Sequence, residues 1–155
     1  MAREVMRRQA SDNPYFHRDF HATLNQGLIY LQERFGPAAV RDYLRQLGRT
    51  FYSPLNESLR RGGLEAIRQY LEKVYSEENA EYEIQSNEND LEMKIARCPA
   101  VSHIRKSGFT VSDMFCETTK TIFETICEDT PFDFLLEEYE PETGKSRFRF
   151  FRRPR

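Results

Sequence analysis

Apolar residues in the first half of the chain recur at spacings of three and four, which is the period of an amphipathic α-helix. A first helix is predicted to begin at Asn13-Pro14, where an N-cap residue precedes a first-turn proline, and to stop at Gly36-Pro37. A second helix is predicted to follow, interrupted near Ser53-Pro54 and ended by Gly62-Gly63. A third is predicted from one apolar stripe, formed by Leu64, Ile67, Leu71 and Val74.

Apolar and polar residues alternate through much of the second half, a period typical of strands with one buried face. One hairpin is predicted around the turn residues 87–90, and another between the segments 132–139 and 147–151. Between the two hairpins, Pro99 is predicted to begin a short helix that Gly108 ends.

A further helix is predicted through about Cys127, because the segment 110–113 has the form of a capping box. Together the elements predict an α+β fold: a helical N-terminal half packed on an antiparallel β-sheet, with an inserted helix between C-terminal hairpins. We expect residues 1–155 to form a single domain, with 1–14 and 152–155 as loose ends.

The overall charge is close to neutral, with 23 basic and 25 acidic residues, so a general attraction to nucleic acid is not expected. No apolar run approaches the ~18 residues of a membrane span. The segment 1–8 lacks the apolar core of a secretory signal, and the 3 cysteines cannot all pair within one chain. We therefore expect a cytoplasmic protein. Its 13% of aromatic residues favours an aromatic-lined pocket or a homodimer interface.

Charges near the C-terminus are segregated along the chain. An acidic group comes first, formed by Glu128, Asp129, Asp133, Glu137, Glu138, Glu140 and Glu142. A basic group follows it, formed by Lys145, Arg147, Arg149, Arg152, Arg153 and Arg155. An antiparallel hairpin would set the two groups against each other, and each opposite-charge pair would contribute about 0.2–1 kcal/mol. The alternative is that the basic group binds an anion.

Reactive side chains concentrate in the segment 97–103 and in Cys116-Glu117. Cys98 precedes a proline at a predicted strand-to-helix junction, so we expect it at or beside a helix N-cap. Backbone N–H groups and the helix dipole would lower the pKa of an exposed thiol there, and Arg97 and Arg105 would act in the same direction. The alternative is that Cys98 is a small apolar residue that plugs the end of a strand.

Cys116 is predicted in the second turn of the next helix, near the end that Cys98 can face. The two cysteines can form a reactive or metal-binding pair, with His103 or Glu117 as a third ligand. The spacing lacks the close cysteine or histidine pairs of structural zinc sites, so the sequence requires no cofactor and leaves a divalent metal open. Cys127 is predicted to fill the core.

Two histidines, His17 and His21, lie four residues apart on the first predicted helix, a spacing that can hold a metal ion. The residues between them lack the glutamate of the H-E-x-x-H motif, and packing against aromatic rings explains them equally well. Tyr52 follows the second predicted helix at its interruption. Its phenol either points into a cavity or packs in the core.

Several short motifs, spread over residues 15–151, carry a family resemblance. They are 30–36 (YLQERFG), 51–55 (FYSPL), the strand ending in Arg97-Cys98-Pro99, the helix with Cys116, and the glycine turn into 147–150 (RFRF). With these motifs the chain resembles the L-2-amino-thiazoline-4-carboxylic acid hydrolase-like family. The resemblance implies a small-molecule-binding α+β domain that hydrolyses a cyclic C=N compound.

Under this hydrolase hypothesis, Cys98 is the nucleophile or a metal ligand, Cys116 is its partner, and His103 or Glu117 moves protons. We expect the substrate to contact three further side chains, those of Tyr52, His21 and Arg149.

A second hypothesis is a non-catalytic small-molecule-binding domain or accessory subunit in which the cysteines only pack. The family often has a further cysteine where this chain has Ser146. This departure weakens any three-cysteine site and is compatible with a fold that is kept while its chemistry is lost or changed.

Overall fold

The computed structural model describes residues 18–154, with side chains from Phe20 onward. Its N-terminal half is helical, as predicted, and consists of α1 (Arg18–Phe35), α2 (Pro37–Thr50), α3 (Ser53–Gly62) and α4 (Leu64–Glu77). The predicted helix start at Asn13-Pro14 and the residue His17 lie outside the described part. None of the helices within residues 18–154 is long and apolar enough to cross a membrane.

Glycine and proline set the boundaries between these helices. Gly36 and Gly63 have φ values of 85° and 64°, in the left-handed region that favours glycine. Pro37 and Pro54 lie in the first turns of α2 and α3, where a missing backbone N–H is tolerated. The interruption predicted near Ser53-Pro54 therefore separates two helices.

Within residues 18–154, four strands form one antiparallel sheet in the order β1-β2-β4-β3. They are β1 (Tyr82–Ser86), β2 (Asp90–Ile95), β3 (Phe132–Tyr139) and β4 (Ser146–Arg152). Both predicted hairpins are present, and β2 pairs with β4 in the middle of the sheet. The α+β fold class is thus confirmed.

Two helices are inserted between the hairpins, namely α5 (Pro99–Lys106) and α6 (Glu117–Ile126). The predicted start and end of α5 are confirmed, but the capping-box prediction for 110–113 is wrong. Ser112 caps a local turn, its hydroxyl accepting from the N–H of Met114 at 3.1 Å, and its own N–H donates to Asn25 at 2.8 Å. The α6 helix begins only at Glu117.

The helices and the sheet meet at an aromatic core. Phe123 of α6 contacts the rings of Phe134, Phe148 and Phe150, with centroid distances of 5.3, 5.7 and 5.2 Å. Burial of one such side chain contributes about 1.5–3 kcal/mol. Because these rings come from α6, β3 and β4, they fix α6 against the hairpin of β3 and β4.

The other face of the sheet carries charges. Arg147 pairs with Glu137 at 2.7 Å and with Glu138 at 3.7 Å, and Arg149 pairs with Asp90 and with Glu137. The predicted pairing of acids with bases across the last hairpin is confirmed.

Candidate functional site

Cys98 lies at the N-cap of α5, as predicted from Pro99. Its N–H donates to the carbonyl of Thr143 at 3.0 Å, and its carbonyl accepts from the N–H of Ser102 at 3.0 Å. The first bond ties the start of α5 to the turn between β3 and β4. The thiol is therefore held between a helix N-terminus and a strand-to-strand turn.

The low pKa expected for an exposed Cys98 does not occur, because the residue is partly buried and its thiol is largely desolvated. Burial raises its pKa, and the charge of Glu78 acts in the same direction. The backbone N–H groups of Val101 and Ala100 lower it, as expected at a helix N-terminus, but desolvation is the larger effect. At neutral pH the Cys98 sulfur is therefore a neutral thiol.

Cys116 is at the N-cap of α6, one turn earlier in that helix than predicted. The pKa of its thiol is also raised, mainly by burial and to a smaller extent by the charge of Glu117. The pKa of the Tyr139 phenol is raised mainly by burial, and the charges of Cys98 and Cys116 act in the same direction once these thiols have ionised. We call Cys98, Cys116 and Tyr139 the thiol cluster.

Tyr139 reaches this cluster through an irregularity in β3. The register shifts between Leu136 and Glu138, so that Glu138 pairs with Arg147 and Tyr139 pairs with Ser146. Without this shift, side chains would alternate regularly along β3. Because Leu136 points inward, Glu138 would then point inward and Tyr139 outward. The position of Tyr139 could not be predicted from the sequence, since no residue pattern in β3 indicates a bulge.

Ser146 is buried opposite Tyr139, 8% exposed, on the face of the sheet that the helices cover. Ser146 is the position at which the family resemblance predicts a further cysteine. It lies beside the thiol cluster and carries a hydroxyl in this chain.

Glu117 is nearly buried, 6% exposed, and both of its carboxylate oxygens are engaged. Oε1 accepts from Nε of Arg41 at 3.1 Å, and Oε2 accepts from Oγ1 of Thr121 at 2.6 Å. The first bond joins α2 to α6, and the second lies within α6. With both oxygens engaged in this way, Glu117 has a structural role.

His103 lines an open cleft of about 320 Å³ at the outer side of α5. We call it the α5 cleft; its lining residues are Glu78, Asn79, Ala80, Glu81, Arg97, Pro99, Ser102, His103 and Lys106. Arg97 and Pro99 flank Cys98 in the sequence and Ser102 lies one helical turn further on, so the cleft borders the start of α5, although Cys98 itself does not line it. The hydroxyl of Ser102 is buried and has no hydrogen-bond partner among the described residues.

The candidate metal ligands Cys98, Cys116 and His103 are not assembled into a metal site. Among the described side chains, no three from histidine, cysteine, aspartate and glutamate come together in a way that could hold a metal ion. His21 instead contacts Glu78, with Nε2 and Oε1 3.1 Å apart. Cys127 is fully buried, in agreement with a core role.

The structure does not bring Tyr52 and Arg149 to the thiol cluster. Tyr52 packs on the core with its phenol bonded to Tyr70. It lies one turn before Asn56, which donates to the carbonyl of Ile126 at the far end of α6 from Cys116. Arg149 lies on the charged outer face of the sheet, because its neighbours Phe148 and Phe150 point inward.

Comparisons with known proteins add nothing to this geometry: no family model, no curated protein and no solved structure matches the chain.

Proposed function

We propose that the protein binds a small cyclic C=N compound bearing a carboxylate, of the 2-amino-thiazoline-4-carboxylate type, and hydrolyses it. The observation that carries this proposal is the position of the α5 cleft, whose wall includes Arg97 and Pro99 on either side of Cys98. A compound bound there would lie beside the two chain neighbours of Cys98, the residue that the family resemblance makes the nucleophile, although Cys98 itself does not line the cleft.

The charges of the α5 cleft suit such a compound. Arg97, His103 and Lys106 line it, and within residues 20–154 Arg97 and Lys106 form no ion pair or side-chain hydrogen bond. Unpaired cations in a cleft are available to a carboxylate. Glu78 and Glu81 also line it and can face the cationic amidine-like end. His103 is the lining residue best suited to exchange a proton with the bound compound.

Binding and turnover of 2-amino-thiazoline-4-carboxylate by the purified protein test the proposal. Arg97→Gln is expected to weaken binding about tenfold, because it removes one charge-assisted hydrogen bond. Arg60→Gln is the matched control, since Arg60 is an exposed α3 residue that does not line the cleft. Equal affinity of both variants, or no binding by the wild type, would contradict the assignment.

A non-catalytic binding domain is the second candidate, and the state of the thiols favours it. Burial raises the pKa of Cys98, Cys116 and Cys127 alike, so none of them is a ready nucleophile at neutral pH. A protein that binds the compound in the α5 cleft without consuming it, and whose thiols all label slowly in the folded state, fits this alternative. Turnover by the wild type excludes it.

A further inference from the structure

Glu78 lies where a carboxylate is costly. It is the C-cap residue of α4, at the negative end of the helix dipole, and no basic residue lies in the last turn of that helix to offset the charge. Its side chain is only 11% exposed. Its backbone is fixed, because its N–H donates to the carbonyl of Val74 at 3.2 Å and the N–H of Asn79 donates to that of Ser76 at 3.0 Å. A charge is thus held at one edge of the α5 cleft, which Glu78 lines.

The carboxylate of Glu78 has one partner among residues 20–154, the imidazole of His21 in α1. Nε2 of His21 lies 3.1 Å from Oε1 of Glu78, and the His21 side chain is 19% exposed. Since a carboxylate only accepts hydrogen bonds, Nε2 carries the hydrogen and donates it. His21 does not line the α5 cleft, so we expect its effect on a bound compound to pass through Glu78.

The second carboxylate oxygen of Glu78, Oε2, is available to a compound in the cleft. It has no hydrogen-bond partner among the described residues, yet it is not buried. Glu81, the other acid that lines the cleft, is exposed to solvent. Because a partly desolvated charge is screened less by water, Glu78 should contribute more than Glu81 to the selection of an N–H donor.

We propose that Glu78, held in place by His21, is the specificity-determining residue of the α5 cleft. Its Oε2 atom accepts a hydrogen bond from the amino group of the bound amidine-like compound, while the carboxylate of that compound faces Arg97 and Lys106. His21 is a positioning residue. The inference rests on the proposed function, from which it takes the class of ligand.

Two stable ring compounds that differ in a single amino group test this inference. They are 2-aminothiazole-4-carboxylate and thiazole-4-carboxylate, whose aromatic ring is not expected to be hydrolysed. Calorimetric titration of the full chain gives the ratio of the two dissociation constants for each variant. We expect the wild type to bind the amino compound about tenfold more tightly, and Glu78→Gln to lose that preference, because one charge-assisted hydrogen bond is removed.

His21→Phe keeps a ring at this position but removes the N–H donor, and should reduce the preference about threefold. His21→Gln should restore part of it, because the side-chain amide also donates. Glu81→Gln is the matched control, since it removes the exposed acid of the same cleft, and should keep the wild-type ratio. Each ratio compares two compounds on one protein preparation, so a loss of folded protein affects both affinities and cancels.

A wild-type ratio in Glu78→Gln, or equal affinity of the wild type for the two compounds, overturns the inference while leaving the proposed function intact. A wild-type ratio in His21→Phe overturns the positioning role of His21. A loss of preference in Glu81→Gln as large as that in Glu78→Gln contradicts the assignment to Glu78. If the wild type binds neither ring compound nor 2-amino-thiazoline-4-carboxylate, the proposed function fails, and this inference fails with it.

Discussion

Gly144 packs directly against Cys98. A Cβ atom placed on Gly144 would overlap the Cβ of Cys98 and lie 2.9 Å from Cγ2 of Val101. Gly144 also has a φ of 69°, which side chains other than glycine rarely adopt. The turn between β3 and β4 thus closes over the start of α5, and glycine is required there for two independent reasons.

Gly144→Ala is expected to lower the free energy of unfolding by about 2–4 kcal/mol, through backbone strain and overlap with Cys98. Gly108→Ala is a suitable control, because Gly108 has a φ of 80° with no atom within 4 Å of the added methyl group. Gly108→Ala should lower the free energy of unfolding by only about 1 kcal/mol. Urea unfolding of both variants measures the difference, and equal losses would show that the contact with Cys98 is unimportant.

Arg41→Ala is expected to lower the free energy of unfolding by about 1–3 kcal/mol, because it leaves the nearly buried carboxylate of Glu117 without its charged donor. Arg45→Ala removes an exposed pair with Asp42 from the same helix and should cost less than about 1 kcal/mol. Chemical denaturation checks both. The double change Arg41→Ala with Glu117→Gln should recover part of the loss, and no recovery would argue against a structural role for Glu117.

The stability of the protein is expected to decline in alkaline solution. Burial raises the pKa of Cys127 to about 12 and that of Cys98 and Cys116 above the usual range. An unfolded cysteine ionises near pH ~8.5. Above that pH the unfolded chain binds fewer protons than the folded one, so the stabilisation present below pH ~8.5 is lost progressively towards pH ~12.

Urea unfolding at a series of pH values checks this decline. Cys127→Ala should be less stable than the wild type at pH 7, because a buried side chain is truncated, but should lose less stability between pH 9 and pH 12. Parallel curves for the two proteins would show that Cys127 does not contribute to the pH dependence.

Under the hydrolase proposal, Cys98→Ser is expected to abolish turnover of 2-amino-thiazoline-4-carboxylate while leaving the melting temperature nearly unchanged, since the two side chains are similar in size and Cys98 is only partly buried. Cys127→Ser should lower the melting temperature, because it places a hydroxyl at a fully buried position. It should retain turnover, because it leaves the thiol cluster intact. Steady-state rates and thermal unfolding separate the two effects. Retained activity in a strongly destabilised Cys98→Ser would rule out Cys98 as the nucleophile.

Exposed aromatic residues bear on the predicted homodimer, which stays a prediction. Phe35 and Phe51, at opposite ends of α2, are 66% and 71% exposed in the single chain, and Tyr30 and Tyr43 are also exposed. Scattered exposed rings are normal on a monomer surface. Sedimentation of the purified protein measures the oligomeric state.

The candidate site was only partly predictable. The Cys98-Pro99 pair predicts an N-cap at Cys98, because proline is favoured in the first helical turn, and the structure confirms this prediction. Partial burial of the thiol could not be predicted in this way, since it depends on the turn between β3 and β4, which packs against Cys98. The backbone N–H groups at the start of α5 lower the pKa of Cys98, as the sequence predicts, but desolvation, which is larger and raises it, arises only from packing.

The sequence by itself determined the order and type of the elements, because apolar periodicity, glycine and proline act over a few residues. Tertiary structure decided which side chains meet. The bulge in β3 directs the side chain of Tyr139 towards the thiol cluster. Regular alternation in β4 places Arg149 on the outer face of the sheet. Contact between Gly144 and Cys98 likewise joins residues far apart in the chain. Such contacts are set by how the layers pack, and no local pattern encodes them.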